Sequence, residues 1–242
     1  MTATFDHLLI LGRPASGKSE FIDFMIKIDD ATRAEKYHIG KFEGLDDFVW
    51  LWEKFEEDDL WEKINKPRLY SQIYEDKNYG LIKGELLDFC IEKFNFEIPK
   101  KYLSRPEFYK DNTLLIEFSR GGENGYKYAL NHLSKEVLKN AAILFILVTF
   151  DESWRRNVAR YEQKLKHSIL AHKVPRETME RFYLTNDWEE ITNGNMHGHL
   201  NLHDLKVPFV TMNNEPESVD PVILDERYGT ALNKLMELFQ NR

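Results

Sequence analysis

Phe5-Asp6-His7-Leu8-Leu9-Ile10-Leu11, an apolar run of strand character, leads directly into Gly12-Arg13-Pro14-Ala15-Ser16-Gly17-Lys18-Ser19. The second stretch has the spacing GxxxxGKS of a phosphate-binding loop. Gly12 and Gly17 permit backbone conformations that turn successive N–H groups toward a phosphate chain, and a helix beginning at the end of the loop adds its positive dipole end to the same anion. At this spacing Lys18 reaches the β- and γ-phosphates and the Ser19 hydroxyl ligates Mg²⁺. Gly12, Arg13, Pro14, Ala15, Ser16, Gly17, Lys18 and Ser19 are therefore the expected nucleotide-binding residues, with ATP and Mg²⁺ the expected cofactors. Downstream, Phe21, Met25 and Ile28 recur at helical spacing with charges between them, so strand, loop and helix follow in the order such a loop needs.

The 242 residues, 42% of them hydrophobic, support one substantial core and leave little room for two ordinary domains with linkers. Residues 1–242 are expected to form one domain with insertions. A net charge of -8 argues against a broad nucleic-acid surface, because phosphate backbones attract basic faces. Cys90 is the single cysteine, which excludes a disulfide framework and a Cys-rich zinc site. The longest apolar run, 141–148, is far shorter than the roughly 20 residues that span a bilayer, and the first apolar segment reads as a strand rather than a leader. A soluble, cytoplasmic chain without membrane contact is the expectation. The oligomeric state is not legible.

Strand and helix signals alternate, which predicts an α/β fold: a three-layer arrangement of a parallel sheet of five core strands with helices on both faces. The expected strands are 5–11, 36–39, 113–118, 142–149 and 207–212. Helices are expected at 18–29, 46–64, 80–94, 126–140, 151–173, from Pro175 onward, and at 225–240. The polar stretch 192–203 reads as a loop. Its histidines, His197, His199 and His203, lack metal-ligand spacing and are expected to have no metal role.

Three groups of residues carry candidate chemistry. Glu117 closes an apolar strand, and a carboxylate there is costly to bury unless paired or ligated; an acid at the tip of a strand beside the loop strand suits the Mg²⁺ shell. Arg156 and Arg160, in the Arg-rich stretch with Arg155, lie four apart on a helix, so their guanidinium groups are expected to converge on one phosphate cluster. In the aromatic helix, Phe48, Trp52 and Phe55 share one face and read as core. Trp50 lies off that face and is the expected wall of a substrate pocket.

With the loop GRPASGKS, the strand end LLIEFSRGG and the later Arg-rich helix in view, the chain resembles the P-loop NTPases, in particular their nucleoside and nucleotide kinase-like branch. The resemblance implies an ATP- and Mg²⁺-dependent phosphotransferase acting on a nucleoside, nucleotide or other small acceptor. It also implies a helical acceptor-site insertion at about 43–110 and a lid at about 151–190 that brings Arg156 and Arg160 over the transferring group. It implies a general base from an acid following the second strand, where Glu43, Asp46 and Asp47 all stand, with Glu117 also open. Lys18, Glu117, Arg156, Arg160 and Asp47 form the expected catalytic set, and Ser19 and Glu117 the metal set. Here Phe118 and Ser119 separate Glu117 from Arg120, a departure from the family's acid–Arg pair that leaves the duty of Arg120 open. The competing reading is a regulatory ATPase or nucleotide-binding switch acting on a protein partner. The chain has no NKxD guanine motif.

Overall fold

The computed structural model describes residues 3–165 and 172–242. β1 (His7–Gly12) is buried along its length and hands over through the loop to α1 (Lys18–Ile26). α2 (Asp30–Tyr37), whose N-terminus is capped by the Asp29 side chain, precedes β2 (Lys41–Asp46). Then come α3 (Asp47–Lys63), a hairpin of β3 (Ser71–Ile73) and β4 (Tyr79–Leu81), α4 (Glu85–Ile98) and β5 (Asn112–Phe118). The second half runs α5 (Tyr126–His132), α6 (Lys135–Leu138), β6 (Ala141–Leu147), α7 (Phe150–Leu165) and α8 (Arg176–Tyr183). It closes with α9 (Trp188–Ile191), β7 (His197–Leu202), β8 (Leu205–Asn213) and α10 (Pro221–Gln240).

The main sheet has the order β2-β5-β1-β6-β8-β7, with the first five strands parallel and β7 antiparallel at the edge. Alternation along β1 divides the core between two faces. Leu9 and Leu11 join Ile91 and Phe94 of α4 and Ala129 and Leu130 of α5 on one side. Leu8 and Ile10 join Phe21 and Met25 of α1 and Tyr228 and Leu232 of α10 on the other. The central strands are therefore covered twice, which is why they read as unbroken apolar runs. The chain leaves β1 toward β2 and β5 on one side and later builds β6 and β8 on the other. β1 is thus the switch point, and the crevice opens at its carboxyl end, where the phosphate-loop sequence sits.

The predicted architecture holds, with corrections at its margins. The predicted strand at 36–39 is displaced: Lys36 and Tyr37 finish α2, His38 takes a left-handed conformation as its C-cap, and the strand begins at Lys41. The predicted loop at 192–203 contains β7, a sixth strand. Leu200 and Leu202 are buried while Asn201 between them is exposed, so an edge strand with one wet face resembles a loop in composition. The helix expected from residue 80 starts at Glu85, because Tyr79–Leu81 pairs in the hairpin. The helix expected over 126–140 breaks into α5 and α6, the second capped by Ser134. α7 is described to Leu165; the continuation expected over 166–171 lies outside the described residues, and residues 172–175 are not helical.

His7 supplies a pH signature for this core. Its Nδ1–H donates to the Val137 carbonyl at 2.9 Å, which assigns Nε2 as acceptor of the Tyr109 hydroxyl at 2.7 Å. Burial holds the imidazole neutral, pushing its pKa down to about 4. A depressed folded-state pKa gives stability that is complete above the unfolded value near 6.5 and lost as the pH falls through 4. The contribution is on the order of 3 kcal/mol. In acid melts between those limits, wild type is expected to lose stability more steeply than His7→Gln; parallel slopes would remove His7 as the cause.

Candidate functional site

The phosphate-loop sequence forms a cradle. Gly12 has φ 150° and Gly17, the N-cap of α1, has φ 109°. A Cβ on Gly12 would stand 2.6 Å from both the Ile146 carbonyl oxygen and Ser16 Oγ, and one on Gly17 would collide with the Asn214 amide. Both positions therefore exclude a side chain. Gly17 brings no side-chain cap, so the first N–H groups of α1 are left for another acceptor. Ser16 Oγ is buried with no hydrogen-bond partner among the described residues. Lys18 Nζ donates to the carbonyls of Gly12 (3.3 Å) and Arg13 (3.1 Å) and to Ser119 Oγ (2.8 Å), and lies 3.8 Å from Glu117 Oε1. Free N–H groups, an orphaned hydroxyl and an ammonium folded over the loop suit a polyphosphate.

Beside the cradle stand two carboxylates. β5 lies directly against β1, and Glu117 pairs in register with Ile10 on one side and with Asp46 at the end of β2 on the other. Burial raises Glu117 to about 7, opposed by Lys18; burial raises Asp46 to about 6, reinforced by Asp47. Among the described residues no three His, Cys, Asp or Glu side chains form a metal cage. Mg²⁺ commonly uses one or two carboxylates together with phosphate oxygens, and Ser19 with Glu117 beside the cradle fits that donor set.

Asp47 sits apart from this chemistry. It is buried and ion-paired to Arg120 at 2.5 Å, while Arg120, also buried, donates to the Ser119 carbonyl and to the Leu87 carbonyl, both at 2.7 Å. Arg120 thus ties the start of α3 to the end of β5 and to α4, which settles the duty left open by the sequence. Asp47 lines the cavity, but among the four acids Glu43, Asp46, Asp47 and Glu117 that the sequence left open as the base, its carboxylate is the one engaged by Arg120. Arg120→Met is expected to cost about 3–5 kcal/mol, because it leaves a buried charge unpaired. The double variant Asp47→Leu, Arg120→Met should recover most of that in denaturant melts. If the single variant melts like wild type, the pair is not structural.

The expected convergence of Arg156 and Arg160 does not occur. Arg156 is buried behind the loop, donating to Glu152 (2.7 Å), to the Asn214 carbonyl (2.7 Å) and to the Ser16 carbonyl (3.5 Å). One turn further along α7, Arg160 clears the loop and lines the cavity, 3.8 Å from Glu20. Arg13 is likewise turned away, donating to the carbonyls of Tyr183, Val148 and Leu184. Arg155 is paired with Glu152 and Glu217 at the surface. Glu43 accepts from the Tyr102 hydroxyl on α4's side of the sheet and does not line the cavity.

The cavity, about 390 Å³, runs from the loop past Asp46 and Glu117 to an aromatic recess between α3, β4 and α8. Phe48, Trp52 and Phe55 line it, and Trp50 does not. Trp50 packs on Phe94 at 4.8 Å under the Lys93 ammonium. The sequence expectation for this helix is therefore corrected at Trp50, which packs against the core, and holds for Phe55, which is buried in it, while Phe48 and Trp52 wall the cavity. Helical spacing identifies which aromatics share a face, but whether that face meets a core or a cavity depends on what packs opposite. Ser119, within the strand-end run LLIEFSRGG, also lines the site, as do Lys164 and Thr178, which carry no motif that would have singled them out.

A glycine-cradled loop between β1 and α1, with an acidic strand end on the neighbouring parallel strand, decides the fold. It is a P-loop α/β fold. Neither a protein-family model nor a curated protein matches this P-loop chain. Among solved structures, it is similar to a sugar kinase from a Janibacter species at 11% identity, with a TM-score of 0.47 over 97% of this chain and 98% of that one. It is also similar to a gluconokinase from Sinorhizobium meliloti at 14% identity, with a TM-score of 0.45 over 99% and 96%. Among the described residues no helix is long and apolar enough to cross a membrane.

Proposed function

We propose that this chain is an ATP- and Mg²⁺-dependent kinase for a small molecule. One observation carries the reading: the P-loop lysine, two strand-end carboxylates and a walled recess of side chains share a single cavity, so a phosphoryl donor and an acceptor can meet there. A hydrolytic switch needs room only for water.

In this reading the loop amides and Lys18 bind the donor's phosphates, and Ser19 and Glu117 hold Mg²⁺, which when bound neutralises phosphate charge. Asp46, on the acceptor side, takes the proton as the acceptor oxygen bonds to the γ-phosphorus. The bond to the β,γ-bridging oxygen breaks, and its electron pair leaves on ADP. Arg160 and Lys164 supply positive charge from α7 for the oxygens that carry charge in the transition state. Arg156 acts at one remove, holding the Ser16 carbonyl and hence the loop.

ADP release measured across a panel of acceptors tests this reading. At least one acceptor is expected to accelerate release above basal hydrolysis. Arg160→Ala should then lower the accelerated rate at least about tenfold, roughly 1.4 kcal/mol in barrier. If no acceptor accelerates release and Arg160→Ala leaves the basal rate untouched, a regulatory ATPase replaces the kinase.

A further inference from the structure

Behind the phosphate loop stands Asn214, a buried amide whose orientation its partners fix. It follows β8, its backbone N–H donates to the Leu147 carbonyl at the end of β6 at 2.9 Å, and the residue is 6% exposed. Its side chain touches two groups of opposite kind: the Arg227 guanidinium at 2.5 Å, which only donates, and the Ser16 carbonyl at 2.8 Å, which only accepts. Oδ1 therefore faces Arg227 and Nδ2 faces Ser16, because the flipped amide would set donor against donor and acceptor against acceptor. Arg227, from α10, also donates to the Pro216 carbonyl at 3.2 Å. The amide is thus held at one end by a helix and at its root by the sheet.

The Ser16 carbonyl accepts from Asn214 and, at 3.5 Å, from Arg156, which also donates to the Asn214 carbonyl. A trans peptide points its C=O and the following N–H in opposite directions, so drawing the Ser16 oxygen back toward Asn214 turns the Gly17 N–H forward. Gly17 lines the cavity, whereas Ser16, Asn214 and Arg156 do not. The Gly17 N–H meets no acceptor among the described residues. With φ 109° and no Cβ, Gly17 also leaves this peptide free to turn over unless something holds it. Turned over, it would present a carbonyl oxygen to an anion in place of a donor. The same contact explains the glycine, since a Cβ there would collide with the Asn214 amide.

We infer that Asn214 is a positioning residue for nucleotide binding: its amide, fixed by Arg227, holds the Ser16–Gly17 peptide so that the Gly17 N–H points at the donor's phosphates. It acts through the loop and touches no substrate. The inference rests on the reading of the loop as a polyphosphate site and is independent of the acceptor.

The test uses the full chain, calorimetry with ADP and Mg²⁺, and the amide resonances of protein labelled with ¹⁵N-glycine, of which there are only 12 to assign. In wild type the Gly17 resonance should move downfield as ADP saturates the protein. Asn214→Ala removes the donor to Ser16 and is expected to weaken ADP about tenfold, the worth of one hydrogen bond, and to at least halve the Gly17 shift at saturation. A merely structural role would lower the melting temperature of the free protein and leave that saturated shift unchanged. Asn214→Asp keeps the shape and the Arg227 contact but sets an oxygen against the Ser16 carbonyl, so it should weaken ADP at least as much. Arg227→Met leaves Asn214 in place with its amide unfixed, and serves should the changes at 214 fold poorly; it should weaken ADP by about threefold. ADP affinity at the wild-type level in the variants at 214, or in Arg227→Met if those do not fold, overturns the inference and leaves the loop assignment standing, as does an unchanged Gly17 shift. Wild type that binds no ADP overturns the loop reading and the inference with it.

Discussion

Lys18→Ala is expected to abolish Mg²⁺-dependent nucleotide binding while the apo protein still folds. The Lys18 ammonium is held over the loop by two carbonyls and Ser119, and it lies 3.8 Å from the Glu117 carboxylate. Those partners are all acceptors, so an incoming phosphate would replace them without opposing charge. Charge-assisted hydrogen bonds contribute about 1.5–3 kcal/mol each, and losing two of them should weaken ADP or ATP at least about a hundredfold, roughly 2.7 kcal/mol. The apo fold should tolerate the change. Burial already raises Glu117 to about 7, and removing its cation raises it further, so the carboxyl can take up a proton near neutral pH instead of becoming a buried lone charge. Calorimetry on both proteins with Mg²⁺ decides the matter, and unchanged nucleotide affinity in the variant would sink the assignment of the loop.

Asp46→Asn should be the most damaging change to turnover that spares nucleotide affinity. Asp46 ends β2 in register with Glu117, lines the cavity, and accepts the Phe48 N–H as the N-cap of α3. Its raised pKa of about 6 brings it close to the range in which a carboxylate both exists at neutral pH and accepts a proton effectively. A positioned base contributes about 10²–10⁴-fold, and Asn keeps the size while removing the proton acceptor. The expected result is a loss of kcat of that order with ADP affinity near wild type. In wild type kcat/KM should fall as the pH drops through about 6, because the base becomes protonated. Asp47→Asn is the discriminating control. It breaks the buried pair with Arg120, so its defect should appear in the melt. If Asp47→Asn folds normally and loses turnover while Asp46→Asn does not, the roles are reversed.

How much of this was legible in the chain depends on the range of the interaction involved. GxxxxGKS after an apolar run, followed by apolar residues at helical spacing, is a local pattern, and local backbone sterics suffice to specify strand, cradle and helix. The apolar runs 113–118 and 142–149 likewise announced strands buried on both faces. β7 escaped notice because an edge strand shows polar residues to water and buries only Leu200 and Leu202.

The site beyond the loop was decided by packing. Asp46 and Asp47 are neighbours in sequence, yet one ends a strand beside Glu117 and the other meets Arg120 from 73 positions away. Arg156 and Arg160 share a helical face, but one turn of rise separates a side chain held by the Ser16 and Asn214 carbonyls from one in the cavity. The aromatics of α3 obey their helical spacing, and the opposing β4 and α8 give that face a core contact at Phe55 and a recess wall at Phe48 and Trp52. The sequence by itself determined the phosphate loop, the alternation of strands and helices and the candidate charged residues, because these rest on backbone sterics and on the burial of continuous apolar runs. Which carboxylate is claimed by a buried arginine, which arginine reaches the cavity and which aromatics form its wall were decided by tertiary structure, because each depends on partners distant in sequence.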